Sequence, residues 1–286
     1  MSGPLVLRTA IGQHDHVKPL RDGTVTSDRV RLDFEEIDPL PKAFRRMVRS
    51  LDFDVCEMAL TTQALAHRFE KPITALPITI WRRLHHANLV CAANGPVKGP
   101  ADLTGRKVGV RAYSQTTGVW IRGILQHEYG VDLDSITWVT MEDAHVDEYR
   151  DPPNAVRADG GKGLRDLLSS GEIAAIMGER TVDPAGIRPV IPNADEAAAE
   201  WSRRTGVFPV NHIVAVKNEL LAQHPWLADE LMAVFTEAKR KSGAGDDGLP
   251  YGLEPNRRSM QMLLDFAAEQ KLTQRAYQVD EIFSRR

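Results

Sequence analysis

Cysteine is scarce in this chain. The 286 residues include two, Cys56 and Cys91, and each lies in an apolar stretch, where a free cysteine usually behaves as a small buried hydrophobic side chain. Two cysteines are too few for a disulfide framework or a paired-cysteine zinc motif. We therefore expect neither a structural disulfide nor a catalytic thiol.

The sequence also lacks a long hydrophobic run and an excess of charge of either sign. No segment approaches the roughly 18 apolar residues of a membrane span, and the N-terminal MSGPLVLRTAIG is interrupted by Arg8 and carries no cleavage pattern. Lys and Arg total 36 against 39 Asp and Glu, so no broad basic face is expected. We predict a cytoplasmic protein without nucleic-acid or membrane partners, and leave a homo-oligomer open.

What the sequence does contain is an alternation of short apolar runs with helix-length stretches, which is typical of an α/β protein. The polar, Pro- and Gly-rich residues 143–162 are interpreted as a surface loop at the edge of a cleft. The predicted strands are LVLRTAIG, RLDFEEI, FDVCEMA, ITALPITI, NLVCAAN, RKVGVRA, ITWVTM, EIAAIMG, IRPVIPN and HIVAVKN.

Two changes in composition predict passages between lobes. Residues 94–110 are rich in Gly and Pro and lead into a new strand–helix unit, and residues 203–216 return to an apolar strand. We expect two doubly wound α/β lobes with a central cleft and two crossovers, and such clefts are common ligand sites. The expected lobes are a discontinuous outer lobe of residues 1–93 and 207–286 and an inserted lobe of residues 94–206.

Two histidines follow the first predicted strand, in the stretch GQHDHVKPL. In a doubly wound sheet, ligands bind beyond the carboxyl ends of the strands, so His14 and His16 are placed to wall a cleft. A neutral imidazole can orient a carboxylate or a phenol, and a protonated one can neutralise it or deliver a proton. Exposed loop histidines are the alternative, and we favour His16 as a functional side chain.

Glu57 lies near the end of the predicted strand FDVCEMA. Apolar neighbours disfavour the charged form of a carboxylate, so Glu57 could donate a proton, cap the next helix or accept a hydrogen bond from a histidine. His212, on the returning strand, joins the histidine set or is a core residue. The candidate catalytic residues are therefore His14, His16, Glu57 and His212.

A polar turn in RAYSQTTGVWIRG precedes a predicted helix. Its Ser114, Gln115, Thr116 and Thr117 would present hydroxyls, an amide and free N–H groups at a helix N-terminus, which suits a carboxylate or another anion. Trp120, in the first turns of that helix, either packs against a flat ring of the substrate or belongs to the core.

Three further residues are substrate-binding candidates. Arg82, in WRRLHHANLV, could form a two-pronged bond with a carboxylate or lie in a surface basic turn. Glu179 and Arg180 follow the strand EIAAIM and correspond in the inserted lobe to the position of Glu57.

A metal site is an alternative use of the same catalytic candidates. His14, His16, Glu57 and His212 offer nitrogen and oxygen ligands, but the sequence contains no HExxH, EF-hand or paired-cysteine motif. We expect no cofactor and leave a divalent metal ion as the alternative.

Several phrases carry a resemblance to a known family: DLTGRKVGV, GVWIRGILQHEYGV, LLSSGEIAAI, RRTGVFPVNHIVAV and YGLEPNRRSMQMLLDFAAEQKL. The chain resembles, over nearly its whole length, the 4,5-dihydroxyphthalate decarboxylase family, whose members look like type II periplasmic binding proteins turned into cytosolic enzymes. It departs from the family pattern in the first loop, where His14 to Val17 stand in place of a Tyr-Asp-Arg-Thr-like segment.

The resemblance implies decarboxylation of a hydroxylated aromatic acid without a cofactor. A ring hydroxyl lets the ring take a proton at the carboxyl-bearing carbon, and the resulting dienone-like intermediate loses carbon dioxide. His16 with Glu57 would serve as general acid and phenol partner, and Ser114 to Thr117 with an Arg would hold a remaining carboxylate. The alternatives are a small-carboxylate binding protein or sensor, and a metal-dependent lyase or hydrolase acting on a related acid.

Overall fold

The computed structural model describes residues 3–178, 186–244 and 248–283. The chain divides into two compact units. Unit 1 comprises Met1–Arg82, Val210–Gln261 and Tyr277–Arg286, and unit 2 comprises Arg83–Pro209 and Met262–Ala276.

The strands lie in two sheets, one in each unit. All ten predicted strand segments overlap an observed strand. The strands of the described residues are Leu5–Ala10 (β1), Val30–Phe34 (β2), Val55–Ala59 (β3), Ile73–Arg82 (β4), Leu89–Ala92 (β5), Lys107–Val110 (β6), Thr137–Thr140 (β7), Ala155–Arg157 (β8), Ala175–Met177 (β9), Ile187–Pro189 (β10) and Val210–Lys217 (β11).

Helices connect most of the strands, and the longer ones lie in the helix-length stretches between the predicted strands. Short 3-10 turns lie at His86–Asn88, Pro100–Leu103, Leu133–Ser135 and Glu254–Asn256. The α-helices of the described residues are Lys18–Arg21 (α1), Pro41–Ser50 (α2), Leu60–Arg68 (α3), Thr116–Tyr129 (α4), Leu164–Ser169 (α5), Ala194–Thr205 (α6), Asn218–Gln223 (α7), Leu227–Lys241 (α8), Arg257–Glu269 (α9) and Val279–Ile282 (α10).

The sheet of unit 1 has the strand order β2-β1-β3-β11-β4. Strand β1 is parallel to both β2 and β3, whereas β11 runs antiparallel to β3 and β4. The chain leaves β1 for β2 on one side and then returns to β3 on the other side. A topological switch point, where ligands bind in open α/β sheets, therefore lies between β1 and β3.

The core of unit 1 packs one face of this sheet against α1 and α8. Its fully buried members include Leu7 of β1, Ile78 of β4 and Phe235 of α8, with Val17 at the start of α1. Strand β3 is buried along its whole length because it is central in the sheet. A charged residue in β3 therefore needs partners inside the protein.

The sheet of unit 2 has the order β10-β5-β9-β6-β7-β8. Strand β6 is parallel to β7 and β9, so unit 2 has its own switch point between β6 and β9. Helix α4 begins just after β6 and ends at Gly130, which has a φ of 62° in the left-handed region that favours glycine at helix ends.

One part of the expected secondary structure is wrong. Residues 143–162 were expected to form a loop, but they contain β8, which pairs in parallel with β7 at the edge of the sheet. The strand has three residues, two of them exposed, so it shows no alternation long enough to be recognised in the sequence. No helix among the described residues is long and apolar enough to cross a membrane.

Helix packing in unit 2 gives a test of the fold. A Cβ at Gly123 of α4 would lie 2.1 Å from Cδ2 of Phe266 in α9. We predict that Gly123→Ala lowers the free energy of unfolding by roughly 1–3 kcal/mol, the cost of overpacking, which exceeds the gain in helix propensity of about 1 kcal/mol. Urea unfolding measures this change, and Gly160→Ala, which enters open space, is the control. Unchanged stability of Gly123→Ala would contradict the packing.

Candidate active site

The candidate site lies at the switch point of unit 1 and is built around the carboxylate of Glu57. Glu57 lies in the central strand β3 with no exposed surface. Its Oε2 accepts hydrogen bonds from the Gly12 backbone N–H and from His14 Nε2, both at 2.9 Å. Its Oε1 accepts one from His212 Nδ1 at 2.6 Å. These four residues are called the Glu57 centre below.

Strand pairing explains why residues so distant in sequence meet. In the antiparallel register, Val214 lies opposite Glu57 and His212 opposite Ala59, so Glu57 and His212 are diagonal neighbours on one face of the sheet. The edges of Phe44 and Trp81 contact the His212 ring, with centroids 5.2 and 5.0 Å away. The ring is thereby fixed in the orientation that directs Nδ1 at Glu57.

The loop after β1 supplies the other side of the centre. The Val17 and Lys18 backbone N–H groups donate to the His14 carbonyl at 2.9 and 3.0 Å, which turns the chain into α1. A Cβ at Gly12 would lie 3.0 Å from His14 Nε2 and 3.3 Å from Glu57 Oε2. Glycine therefore permits the close approach of the loop to the carboxylate.

The ionisation of Glu57 differs from the expectation that burial would disfavour its charge. Burial does raise the pKa of Glu57, but the hydrogen bonds and charges of His14 and His212 outweigh it and lower the pKa to about 2. Glu57 is therefore an anion at neutral pH, which argues against the proton-donor role considered for it. It does not cap α3 either, whereas the predicted hydrogen bond from a histidine is confirmed.

The charge of Glu57 also fixes the tautomers of its partners. An ionised carboxylate only accepts hydrogen bonds, so His14 carries a hydrogen on Nε2 and His212 carries one on Nδ1. The second nitrogen of each ring, Nδ1 of His14 and Nε2 of His212, is directed away from the carboxylate. The centre can thus offer two imidazole nitrogens whose rings are held by one buried anion.

His16 lies beside this centre but differs from the other two histidines. Its ring centroid is 5.3 Å from that of His14, it is 8% exposed, and its Nε2 has no hydrogen-bond partner among the described residues. Burial and the charge of His14 lower the pKa of His16 to about 4. At neutral pH it is therefore an uncharged imidazole.

Three side chains that the sequence analysis missed hold the His14 loop. Arg21 of α1 donates to the Ile11 carbonyl and to Glu36, and Glu36 also accepts from Gln13 Nε2 at 3.2 Å. The Arg21 guanidinium also stacks over Phe34, 4.4 Å from the ring centroid. Polar residues in a loop show no periodic pattern, so the sequence does not single out these three side chains. The one feature that could have indicated their role is the position of Gln13 and Arg21 on either side of the histidines.

The alternative metal site finds no support in the geometry. Within the part of the chain that the structure describes, no group of three or more His, Cys, Asp or Glu side chains is arranged to hold a metal ion. In the Glu57 centre, both carboxylate oxygens already face N–H donors.

The predicted anion-binding residues lie together in unit 2. Ser114 to Thr117 occupy the turn between β6 and α4, at the switch point of the second sheet. Arg83 Nη2 donates to Thr117 Oγ1 at 3.4 Å, and the buried Oε1 of Gln115 has no hydrogen-bond partner among the described residues. Four N–H groups at a helix start lack partners within the helix, so the turn has the chemistry expected for anion binding.

The remaining sequence candidates separate into different environments. Trp120 is fully buried and packs against His85, Trp201 and Phe266, so of its two alternatives the structure supports the core residue of unit 2. Arg82 ends β4 in unit 1, where Nη1 lies 3.5 Å from Asn256 Oδ1. Glu179 and Arg180 lie outside the described residues.

Comparison with known proteins identifies relatives over most of the chain. It is 32% identical over 254 residues to 4,5-dihydroxyphthalate decarboxylase of Comamonas testosteroni, a match that covers 82% of this chain and 75% of the relative. The protein of the same name from Pseudomonas putida is 28% identical over 212 residues, covering 70% and 82%. No protein-family model matches the chain.

A solved structure establishes the fold. The periplasmic aliphatic sulphonate binding protein SsuA from Escherichia coli aligns with a TM-score of 0.60 over 98% of this chain and 97% of that one, at 14% identity. The periplasmic-binding-protein-like α/β fold predicted from the sequence is confirmed.

The low pKa of Glu57 predicts an acid-dependent loss of stability. The folded-state pKa of about 2 lies below the ordinary value of 4.5, so the contribution is complete above pH 4.5 and is lost as the pH falls towards 2. Its size is roughly 3 kcal/mol, from 1.36 kcal/mol per pKa unit. Chemical unfolding between pH 2 and 5 should show a shallower decline for Glu57→Gln than for wild type.

The matched control is Glu219→Gln, a surface substitution that removes a carboxylate bonded to Gln223. Its unfolding free energy should follow the wild-type pH dependence. A Glu57→Gln variant with the full wild-type decline would show that Glu57 is not ionised in the folded protein.

Proposed function

The chain belongs to the 4,5-dihydroxyphthalate decarboxylase family, and we propose that it releases carbon dioxide from a hydroxylated aromatic carboxylic acid such as 4,5-dihydroxyphthalate. The observation that carries the proposal is the buried Glu57 carboxylate, which accepts a hydrogen bond from each of two imidazoles at the switch point of unit 1. The names of the two relatives supply the substrate class.

The reaction needs a proton donor and a proton acceptor within one site. A base takes the proton of a ring hydroxyl that is ortho or para to the departing carboxylate, and an acid protonates the ring carbon that bears this carboxylate. The C–C bond then breaks, its electron pair returns to the ring, and carbon dioxide leaves. The balance is one carboxylate replaced by one hydrogen, with one proton taken from solvent.

His14 and His212 are assigned the two proton transfers. Each ring is bonded through one nitrogen to Glu57 and directs its other nitrogen away. A buried carboxylate stabilises the imidazolium that forms when the outer nitrogen takes a proton, so either ring can hold a proton between transfers. Glu57 stays an anion throughout and acts as the positioning group.

His16 is assigned a binding role in place of the general-acid role predicted for it. Its pKa of about 4 leaves too little of the protonated form at neutral pH for an efficient donor. A neutral imidazole with an unpartnered buried nitrogen is instead suited to a hydrogen bond with a substrate oxygen. Ser114 to Thr117 and Arg82 remain candidates for binding a carboxylate.

The proposed mechanism uses no cofactor and no metal ion. The dienone carbonyl formed from the ring hydroxyl accepts the electrons of the breaking C–C bond, and His14 and His212 supply both proton transfers. A metal-dependent reaction remains the alternative that the assay below distinguishes.

Carbon dioxide release from 4,5-dihydroxyphthalate tests the proposal. Purified, chelator-treated protein should consume the substrate, and His14→Asn, His212→Asn and Glu57→Gln should each lower kcat by about 100-fold or more, the usual size of a general acid–base contribution. The control is His127→Asn, which disrupts a surface His–Glu pair in unit 2 at 2.7 Å and should retain wild-type kcat.

Other outcomes of this assay favour other functions. Turnover that appears after a divalent ion is added would assign the histidines as metal ligands. Thermal stabilisation by the substrate without any turnover would indicate a binding protein for small carboxylates.

The Arg21–Glu36–Gln13 network predicts a positioning effect on the same reaction. The Glu36 side chain is 62% exposed, so its ion pair adds little to stability, but it restrains the loop that carries His14. We predict that Glu36→Gln lowers kcat several-fold, with an unchanged melting temperature and a smaller change in KM. Glu200→Gln, which breaks the exposed pair with Arg203, is the control. Wild-type kcat in Glu36→Gln would exclude the positioning role.

A further inference from the structure

Unit 1 contains a buried lysine whose charge acts on His16. Lys239, near the end of α8, is 4% exposed. Its Nζ donates to the Leu249 carbonyl at 3.0 Å and lies 4.3 Å from the centroid of the Tyr251 ring. An ammonium group inside a protein needs such polar and π-electron partners, and both come from the segment after α8.

Tyr251 brings a polar group to the same place. Its ring packs against the apolar core that joins α1 and α8, and its hydroxyl is buried without a hydrogen-bond partner among the described residues. Burial raises the pKa of Tyr251, so the hydroxyl stays protonated and is a donor. The segment is held in place by a hydrogen bond of 2.8 Å from the Gly252 N–H to the Pro77 carbonyl in β4.

His16 links this group to the Glu57 centre. Val17, its neighbour in sequence, packs in the same core as Tyr251 and as Ala238, the neighbour of Lys239. The charges that act on His16 come from His14, Glu57, Lys239 and Asp15, so Lys239 is close enough to influence the imidazole. Two buried polar atoms in this region, His16 Nε2 and Tyr251 Oη, lack partners among the described residues.

Unsatisfied buried polar atoms are rare in folded proteins and call for an explanation. Here two of them belong to residues on which Lys239 acts, His16 through its charge and Tyr251 through a ring contact. The three groups together match a ring oxygen that carries negative charge: the hydroxyl donates to it, the ammonium stabilises its charge, and the neutral imidazole bonds a neighbouring hydroxyl.

We propose that Tyr251 and Lys239, beside His16, bind the ring oxygens of the substrate and hold one of them as a phenolate. The inference rests on the proposed function for its place in the reaction. The phenolate electron pair forms the C=O bond of the dienone as the ring carbon takes its proton, and it returns to oxygen when carbon dioxide leaves. Lys239 takes no part in the proton transfers and acts through its charge.

The test uses 4-nitrocatechol, a catechol without a carboxylate whose neutral and ionised forms differ in visible spectrum. Wild-type protein should bind it and lower the apparent pKa of its phenol. Tyr251→Phe, which removes one oxygen atom, should bind the probe about 10-fold more weakly, as expected for one hydrogen bond to a charged group. Lys239→Met should abolish the shift in ionisation, and Lys239→Arg should retain part of it.

The control is Lys162→Met, which removes an exposed ammonium paired with Glu172 in unit 2 and should leave the bound spectrum unchanged. Melting temperatures show which variants fold, and Tyr251→Phe decides the outcome if Lys239→Met does not. A wild-type protein that fails to bind the probe, or equal affinities and spectra in wild type and Tyr251→Phe, would overturn the inference.

Carbon dioxide release is measured on the same variants, and it separates this inference from the proposed function. Turnover of 4,5-dihydroxyphthalate that is unaffected in Tyr251→Phe overturns the inference while the function stands. A probe shift that depends on Tyr251 and Lys239, without turnover in wild type, supports the phenolate-binding group and refutes the decarboxylase.

Discussion

The negative charge of Glu57 inside the sheet of unit 1 is the constraint on which the site depends. A fully buried carboxylate is costly unless it is paired and hydrogen-bonded, and three N–H groups meet that need, two from the loop after β1 and one from β11. Two of them belong to imidazoles, so the arrangement that makes the charge tolerable also aligns the rings. Stability and proton transfer therefore depend on one group, and a substitution of Glu57 is expected to affect both.

The sheet topology explains how one carboxylate reaches partners 45 and 155 residues away in sequence. The order β2-β1-β3 leaves the end of β1 beside β3, and the antiparallel β11 adds His212 from the other side. Each partner arrives on a different strand or strand end, so no single loop can carry the site alone. The hydrogen bonds of Arg21 to Ile11 and Glu36 restrain the loop after β1. This restraint matters because loops are in general more mobile than strands.

Sequence reasoning predicted the strands other than β8 and included the meeting of His14, Glu57 and His212 among its alternatives, because apolar periodicity and strand ends are local signals. It predicted that burial would raise the pKa of Glu57, whereas the pKa is lowered. The direction depends on the hydrogen bonds of His14 and His212, which the fold brings to Glu57 and which its neighbours in sequence do not reveal. It did not indicate Lys239 or Tyr251. Lys239 lies in an ordinary amphipathic helix, and Tyr251 lies in the loop sequence that follows it. Trp120 was ambiguous because core and ligand-binding tryptophans share the same apolar surroundings in sequence.

The three histidines of the site show how one side-chain type takes different roles through its surroundings. His14 and His212 each donate a hydrogen bond to the same buried carboxylate, which holds both rings in position. The ring centroid of His16 is 5.3 Å from that of His14, and burial together with the charges of His14 and Lys239 keeps the His16 ring neutral. The charge therefore changes across the site, from the carboxylate at the sheet to Lys239 on α8. For a bound aromatic acid, the histidines paired with Glu57 would exchange protons with the substrate, and the charge of Lys239 would stabilise the negative charge of a ring oxygen, which favours protonation of the ring.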